Sequence, residues 1–201
     1  MKLIYAPTSP YSRKVRVLLA ETGQSDDIEM AQIFATPVDT PDEVQAANPM
    51  GKIPSLVREE GTSLYDSRVI CQFLDERADA GLYPAGSRWE VMTLEATADG
   101  ILDAAILMVY ERRIRPPQFV YPEWEEAQWV KVARAVQAVN DRWMSHLAGP
   151  LTMGHIAVAC ALGYLDFRHP DRNWRKGCDA LDDWYAVFSE RDSMKATVPP
   201  A

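Results

Sequence analysis

Apolar and polar positions alternate over short stretches in the first 80 residues, and each stretch is typical of one small element. Residues 3–5 form an apolar run that Pro7 stops, which predicts a buried strand. Residues 13–21 carry apolar side chains at helical spacing and are followed by Gly23, which predicts a helix. Residues 28–33 alternate again and predict a second strand. A strand, a helix and a strand in this spacing indicate a parallel βαβ unit.

A turn-rich stretch at residues 48–54 separates this unit from a second group of elements. Residues 55–57 and 62–64 flank an acidic turn, which predicts a hairpin. After Asp66 and Ser67, apolar residues recur at spacings of three and four, so one of these two residues is expected to cap an amphipathic helix. The first part of the chain is therefore expected to be βαβ followed by ββα.

Beyond a linker with proline and glycine at residues 82–86, the apolar pattern is helical throughout. The most apolar segment is expected to be a central buried helix, and the end of the chain a loose tail. The predicted helices cover residues 89–110, 124–147, 156–165 and 181–188, and the tail begins at Met194. We therefore expect two domains, an α/β domain over residues 1–80 and an all-α helical domain over residues 87–201.

The composition of the 201-residue chain is informative mainly because it excludes several classes of protein and partner. With 47% hydrophobic and 25% charged residues, the chain has an ordinary globular composition. Its net charge is −8, and it has no basic run of the kind that binds nucleic acid. Its apolar stretches are shorter than the roughly 18 residues of a membrane span, and the N-terminal apolar run is too short for a signal peptide. Neither nucleic acid nor a membrane is expected as a partner.

The three cysteines, Cys71, Cys160 and Cys178, indicate a reducing compartment. Their number is odd and none lies in a Cys-x-x-Cys pair, which is unusual for a disulfide framework. Cys71 and Cys160 lie among apolar residues and are expected to be buried thiols of the core. The cytoplasm is the expected location, and no metal cofactor is expected.

Candidate chemistry begins with Ser9, in the turn between the first strand and the first helix. Ligands of α/β sheets gather at the carboxyl ends of strands, and a helix N-terminus offers N–H groups and a positive dipole end. A thiol held there loses its proton more readily, and a serine hydroxyl can donate a hydrogen bond to the thiolate. The alternative is that Ser9 or Ser12 only caps the helix.

Two further segments carry groups that suit an extended peptide with a free amino-acid end. The Ile53–Pro54 bond lies in a tight turn before a strand and is a candidate cis bond, which would turn the Ile53 backbone outward. An ordinary proline at a strand entry is the alternative. Asp66 and Ser67 stand at a helix start, where N–H groups and a hydroxyl suit a carboxylate and Asp66 can pair with an ammonium group. A plain helix cap is the alternative there.

Together these segments resemble the glutathione transferase family. The segment from Ser9 to Arg16 looks like that family's active-site turn and first helix. Residues 48–54 look like its peptide-clamping loop, and residues 64–68 look like its γ-glutamyl site. All three occur in the family's order and spacing, and the resemblance covers essentially the whole chain. It implies an N-terminal thioredoxin-like domain, a C-terminal all-helical domain, and glutathione as co-substrate.

The resemblance also implies a role for each matching residue. The implied glutathione-binding set is Ser9, Lys52, Ile53, Pro54, Asp66, Ser67 and Arg68. Ile53 would bond the cysteinyl backbone beside a cis Pro54, while Asp66 and Ser67 would hold the γ-glutamyl amine and carboxylate. The charge of Lys52 would suit the glycyl carboxylate.

The implied catalytic residue is Ser9, which would face the glutathione sulfur. Several branches of the family with thiol–disulfide activity carry Cys at this position, and a serine cannot form the mixed disulfide that such exchange requires. This favours conjugation or peroxide reduction with glutathione's own thiol. Other branches use a tyrosine on the first strand, so Thr8, Tyr11 and Tyr5 remain alternatives for contact with the sulfur.

The helical half departs from the family pattern at His155. The family usually has Ser/Thr-x-x-Asp at the start of its central helix, whereas here Thr152 is followed three residues later by His155. A neutral imidazole can accept one capping bond, but a charged one would oppose the helix dipole. A catalytic base is the alternative role. The sequence predicts that His155→Asp stabilises the fold by about 0.5–1 kcal/mol.

The second substrate is expected between the two halves, over the thiol. Met108, Tyr110, Arg112 and Arg113, near the end of the long helix, are candidates to line that site, although Met108 also suits the core. We expect a homodimeric glutathione transferase that conjugates small electrophiles, a detoxification activity. The alternatives are a glutathione-dependent peroxidase, isomerase or dehalogenase, and a non-enzymatic binding module on the same fold.

Overall fold

The computed structural model describes residues 1–200 of the chain, and these residues form two compact units. Unit 1 contains residues 1–84 and 191–200, and unit 2 is Ala85–Glu190. Unit 1 has a small sheet with helices and unit 2 is helical, which is the fold class expected from the sequence. The sequence-based division differs at the end of the chain, since it assigned residues 191–200 to the helical part.

Three strands and nine helices occur in residues 1–200. They are β1 (Lys2–Tyr5), α1 (Pro10–Glu21), β2 (Glu29–Gln32), α2 (Asp42–Ala47), β3 (Ser55–Val57), α3 (Ser67–Ala78), α4 (Arg88–Arg113), α5 (Pro122–Arg142), α6 (Met144–Leu147), α7 (Met153–Arg168), α8 (Asp179–Phe188) and α9 (Asp192–Lys195). Short 3-10 turns lie at Ser25–Asp27, Ala85–Ser87 and Pro117–Phe119.

The sheet of unit 1 has the strand order β2-β1-β3. Strand β1 is parallel to β2, as a βαβ unit requires, and antiparallel to β3. The predicted hairpin partner of β3 is reduced to one bridge between Leu56 and Leu64. Where the ladder would continue, the Arg58 Nε donates to the carbonyl of Thr62 at 3.0 Å.

The core of unit 1 lies against β1 and α1. Leu3 and Ile4 are fully buried on β1. Val44 and Ala47 of α2 pack against Ile4, so this short helix covers part of the sheet. Helix α2 was not predicted from the sequence, because its six residues contain too few apolar positions to establish a helical period.

The C-terminal segment of unit 1 is ordered, so the prediction of a loose tail was wrong. Helix α9 packs against α1, and Met194 is fully buried. The Arg13 guanidinium, itself buried, donates from Nη2 to the Met194 carbonyl at 3.0 Å and from Nε to the Thr197 hydroxyl at 3.3 Å. A polar side chain of α1 thus fixes the segment, and hydrophobic periodicity does not report such a contact.

Unit 2 is organised around α4 and α7. Helix α4 packs against both α5 and α7, and every residue of α7 from Met153 to Leu165 is buried, as the predicted central helix requires. A Cβ at Gly154 would lie 3.0 Å from the Leu94 Cδ2, so glycine permits the close approach of the two helices. The predicted helix over residues 124–147 is two helices, since the chain breaks at Trp143 between α5 and α6.

Within residues 1–200, no helix combines the length and the apolarity that crossing a membrane requires.

Candidate functional site

The three segments singled out in the sequence meet at one edge of the sheet in unit 1. Ile4 pairs with Ser55, so the antiparallel register brings residues 53 and 54 beside the turn that follows β1. Leu56 pairs with Leu64 in the opposite direction, so the same register brings Asp66 level with Pro54. The turn before α1, the loop before β3 and the N-terminus of α3 therefore lie at the carboxyl end of β1.

Ser9 is the N-cap of α1. Its backbone is extended, with φ −82° and ψ 121°, and its Oγ accepts a hydrogen bond from the backbone N–H of Ser12 at 3.2 Å. Pro10 follows at the first helical position, where a missing N–H costs nothing. The capping bond uses a lone pair of the Ser9 oxygen, so the hydroxyl hydrogen can still be donated to a ligand. The helix-cap alternative and the ligand-contact hypothesis are therefore compatible.

Thr8 and Tyr11 are partly buried neighbours of Ser9 in the same turn. The Ser9 oxygen contacts an N–H group at the N-terminus of α1. The ring of Tyr5 on β1 contacts the Arg16 guanidinium, which lies 5.2 Å from the ring centroid. Ser12 is fully buried. Ser9 thus has the position best suited to a group that develops negative charge.

The loop over residues 48–54 is held by Asn48, a buried residue that the sequence analysis did not single out. Its Oδ1 accepts from the Met50 N–H at 2.9 Å, and its Nδ2 donates to the Lys52 carbonyl at 3.0 Å. The Ser55 hydroxyl donates to the same carbonyl at 3.1 Å. Gly51 has φ +63°, and a Cβ there would lie 2.9 Å from the Thr40 Cγ2.

The Ile53–Pro54 peptide bond is cis. The Ile53 side chain packs on the core around Ile4 and Val44, which anchors the loop from below. Lys52 is exposed beside it. The structure thus places Ile53 and Lys52 on a loop whose shape is fixed by internal hydrogen bonds.

Asp66 is the N-cap of α3, one of the two residues that the sequence predicted for this role. Its Oδ1 accepts from the Arg68 N–H, and its Oδ2 pairs with the Arg68 guanidinium, both at 3.0 Å. Burial raises the pKa of the Asp66 carboxyl, but the hydrogen bonds and charge of Arg68 and the charge of Lys14 outweigh burial and hold that pKa below its usual range. Asp66 is therefore ionised at neutral pH, and Ser67, 2% exposed, follows it.

Lys14 is the residue of this edge that sequence reasoning missed. Its side chain is fully buried on α1, although lysine is among the residues least often buried. Its charge acts on Asp66, so α1 and α3 share an electrostatic environment at their N-termini. The available signal was its place on the apolar face of the first helix, one position before Val15.

The residues proposed for the second substrate lie in unit 2. Met108 is 3% exposed and belongs to the packed face of α4. Arg112 pairs with the buried Glu125 at 2.6 Å. Tyr110 is partly buried, which raises the pKa of its hydroxyl, and Arg113 is exposed.

His155 occupies the position at which the family pattern has an aspartate, and it completes the cap of α7. Its Nδ1 accepts from the Thr152 N–H at 3.1 Å, as one half of a capping box. Accepting this bond requires Nδ1 to be unprotonated. The ring is 3% exposed, stacks with Phe188 at a centroid distance of 6.3 Å and lies tilted to Trp184 at a centroid distance of 6.2 Å. His155 therefore has a structural role in unit 2.

Two family profiles match the chain. Residues 3–82 match the glutathione S-transferase N-terminal domain, and residues 122–186 match the glutathione S-transferase C-terminal domain. The Escherichia coli (strain K12) protein described as the uncharacterized GST-like protein YibF is 31% identical over 205 residues, covering 100% of this chain and 99% of that protein.

Solved structures give the same assignment. A glutathione transferase family member from Pseudomonas fluorescens Pf-5, crystallised with bound glutathione, is 43% identical with a TM-score of 0.97, and the match covers 100% of this chain and 99% of that one. A glutathione S-transferase from Methylobacillus flagellatus KT with glutathione bound is 37% identical with a TM-score of 0.84, over 99% of both chains. The chain belongs to the glutathione S-transferase family.

Proposed function

We propose that this protein is a glutathione transferase that binds glutathione on unit 1, favours its thiolate at the N-terminus of α1 and conjugates it to a small electrophile. The observation that carries this proposal is the meeting of three segments at the carboxyl end of β1. Each segment offers groups of the type that one part of glutathione requires. Glutathione is an extended tripeptide with two carboxylates, one ammonium group and one thiol.

Each end of glutathione has a matching residue in this proposal. Asp66 is ionised and takes the γ-glutamyl ammonium, and Ser67 with the first N–H groups of α3 takes the adjacent carboxylate. The Ile53 backbone bonds the cysteinyl backbone. Lys52 is exposed and long enough to reach the glycyl carboxylate. Arg68 pairs with Asp66, so its charge favours the ionised form of that carboxyl. In this proposal Arg68 also lies beside the γ-glutamyl group.

Chemistry at the thiol follows from the position of Ser9. The N-terminus of α1 carries a partial positive charge, which favours a thiolate placed before it. The Ser9 hydroxyl donates a hydrogen bond to that sulfur while its oxygen continues to accept from Ser12. Each fall of 1 in the thiol pKa corresponds to about 1.4 kcal/mol of preference for the thiolate. After the thiol proton has passed to solvent, the thiolate sulfur forms a bond to an electrophilic carbon of the second substrate. The electron pair of the bond that breaks at that carbon departs with the leaving group or, in an addition, takes up a proton from water.

Relatives with bound ligands support glutathione as the co-substrate. The Pseudomonas fluorescens Pf-5 family member, at 43% identity, was crystallised with glutathione and also with S-(propanoic acid)-glutathione. The second ligand is a glutathione conjugate, which is the class of product that a transferase releases. A serine at position 9 favours conjugation over disulfide exchange, since serine cannot form a mixed disulfide.

We also propose that the protein is a cytoplasmic homodimer. All three cysteines are buried thiols, which suits a reducing compartment. Several large aromatic side chains are exposed, including Trp89 at 75% and Phe119 at 65%, and aromatic side chains are enriched at interfaces between subunits. Sedimentation equilibrium should give about twice the 22.6 kDa chain mass, and a monomer at micromolar concentration would contradict this proposal.

Titration of the bound thiol tests the function directly. We expect the thiolate absorbance of bound glutathione to give a pKa below the roughly 8.5 of free cysteine, and Ser9→Ala to raise that pKa by about 1. Thr8→Ala and Tyr11→Phe are matched controls that each remove a neighbouring hydroxyl. If the Ser9 variant matches the wild type and the Tyr11 variant does not, Tyr11 is the activating group. If the wild-type protein does not bind glutathione, the proposed function is wrong.

A further inference from the structure

The C-terminal segment of unit 1, residues 191–200, contacts α1 at the end that carries Ser9. The contact is made by Arg13, whose side chain is buried. Its Nη2 donates to the Met194 carbonyl at 3.0 Å, and its Nε donates to the Thr197 hydroxyl at 3.3 Å. Two donors of one planar guanidinium thus bind two acceptors of the segment, which fixes both the position and the orientation of the side chain. We call these two contacts the Arg13 clamp.

The backbone of Arg13 belongs to the first turn of α1, which Ser9 caps. Its N–H donates to the Ser9 carbonyl at 3.0 Å, while the N–H of Ser12 donates to the Ser9 hydroxyl oxygen at 3.2 Å. One residue therefore bonds the cap of α1 through its backbone and the C-terminal segment through its side chain. Because that side chain is buried against the segment, Arg13 acts on a bound thiol through this turn and not by contact.

The acceptor side of the Arg13 clamp is also fixed. Thr197 is buried, and its hydroxyl donates to the Ser193 carbonyl at 2.8 Å while it accepts from Arg13. Arg16, one turn after Arg13, gives the segment a second contact with α1, because its Nη2 donates to the Ala196 carbonyl at 3.4 Å. A buried acceptor that is itself hydrogen-bonded leaves the clamp little freedom to shift.

The position of the first turn of α1 matters because the effects proposed for the thiol have a short range. The positive end of a helix dipole acts within the first turn, and a hydrogen bond weakens steeply as its angle departs from linear. A small displacement of this turn from the loop before β3 would therefore weaken both the dipole effect and the Ser9 hydrogen bond on the sulfur. Small errors of position are costly wherever reacting groups must be aligned.

We propose that Arg13 is a positioning residue of the thiol site, which uses the C-terminal segment to hold the Ser9 cap of α1 in place for the thiolate of glutathione. The inference rests on the proposed function and deepens it, because it presumes that glutathione binds with its thiol at Ser9. It gives the C-terminal segment a part in the chemistry of unit 1 as well as in its folding.

Replacing the uncharged side-chain acceptor of the clamp tests position without changing any charge. In the full-length Thr197→Val variant the Arg13 Nε loses its partner. We expect the pKa of the bound glutathione thiol, measured by thiolate absorbance, to rise by about 0.5. This rise corresponds to an about threefold lower thiolate fraction well below the pKa and to no difference well above it. Thr197→Ser keeps the hydroxyl, so it should match the wild type.

Thr22→Val is the matched control, because it makes the same replacement at the other end of α1. The Thr22 hydroxyl donates to the Leu18 carbonyl at 2.9 Å and accepts from the Gln24 Nε2 at 2.7 Å, so its loss should lower the melting temperature without moving the thiol pKa. Arg13→Lys is a second test, since lysine keeps the charge but lacks the fork that spans two acceptors, and the thiol pKa should again rise. If a thermal melt shows that Thr197→Val does not fold, Arg13→Lys carries the test.

The outcomes separate this inference from the proposed function. If the wild-type protein binds glutathione and a folded clamp variant has the wild-type thiol pKa, the inference is overturned and the proposed function stands. Equal rises of the thiol pKa in Thr197→Val and Thr22→Val also overturn the inference, since a general loss of stability would then explain both. A wild-type protein that does not bind glutathione contradicts the proposed function itself.

Discussion

The contribution that His155 makes to stability is judged differently once its neighbours in the structure are known. From the sequence, aspartate at position 155 is the better helix cap and the imidazole a poor substitute. In the structure the imidazole already accepts the Thr152 N–H, and its ring fills space beside Trp184 and Phe188. A short carboxylate would keep the cap and lose the ring contacts.

We therefore expect His155→Asp to destabilise unit 2, opposite to the expectation from the sequence. Truncating a buried ring removes apolar contact and leaves a cavity, and the new charge is buried, so we expect a net loss of about 1–3 kcal/mol despite a better helix cap. All six tryptophans lie between residues 89 and 184, so denaturant unfolding followed by tryptophan fluorescence reports this unit. His155→Asn separates the loss of the ring from the added charge. A gain in the aspartate variant would restore the expectation from the sequence.

Asp79 ends α3 in a left-handed conformation, with φ +48°. Among residues 1–200 it is the one non-glycine residue with positive φ, and its carboxylate also stands at the negative end of the helix dipole. We expect Asp79→Gly to stabilise unit 1 by about 0.5–1 kcal/mol, because glycine adopts this conformation without strain. Asp79→Ala removes the same charge but keeps the strain, so it should show less gain. Far-UV circular dichroism in urea measures both, and equal stability of the two variants would show that the charge alone matters.

At the scale of elements, the C-terminal segment fixes the helix that carries the candidate site. Glu21, the last residue of α1, accepts from Arg191 Nε at 2.8 Å and Nη2 at 2.6 Å, and also from the Ser193 hydroxyl. The Arg191 and Ser193 hydrogen bonds lower the pKa of the Glu21 carboxyl, although burial opposes them. The folded-state pKa thus lies below the unfolded value of about 4.3.

Glu21→Gln should therefore weaken the contact of α9 with α1 in a pH-dependent way. The stabilisation by the carboxylate is fully present above the unfolded pKa and is lost as pH falls through the folded pKa. We expect the variant to lose about 1 kcal/mol at neutral pH, and the difference from wild type to shrink below about pH 4. Hydrogen exchange of the α1 amides measures this effect. Glu60→Gln, on an exposed loop residue, is the matched control, and a difference that is constant with pH would contradict the assignment.

Elements that are long and periodic could be predicted from the sequence, and those fixed by side chains could not. The parallel βαβ unit, the capped helix α3 and the buried helix α7 follow from apolar spacing alone. Apolar spacing does not predict the break at Trp143 or the single bridge that replaces a fourth strand, because the apolar pattern continues across both. The order of the C-terminal segment depends on Arg13 and Glu21, which hydrophobic periodicity treats as surface residues.

For the candidate site, the three segments could be predicted because each is a local motif with its own turn or cap. The residues that support these three segments could not be predicted. Asn48 holds the loop before β3, and Lys14 is fully buried on α1 although it is a charged residue. Such residues are determined by tertiary packing, so a single sequence does not reveal them.

At the scale of the whole molecule, glutathione should stabilise the protein by mass action. A ligand that binds only the folded state adds about 2.7 kcal/mol at a concentration 100 times its dissociation constant. We therefore expect glutathione to raise the far-UV melting temperature in proportion to the logarithm of its concentration. Asp66→Asn should reduce the shift, because the γ-glutamyl ammonium loses its ionised partner. The dipeptide cysteinylglycine, which lacks that group, should give little shift in either protein. An equal shift with the dipeptide would mean that Asp66 and Ser67 do not hold the γ-glutamyl end, and that binding rests on the thiol and glycyl contacts.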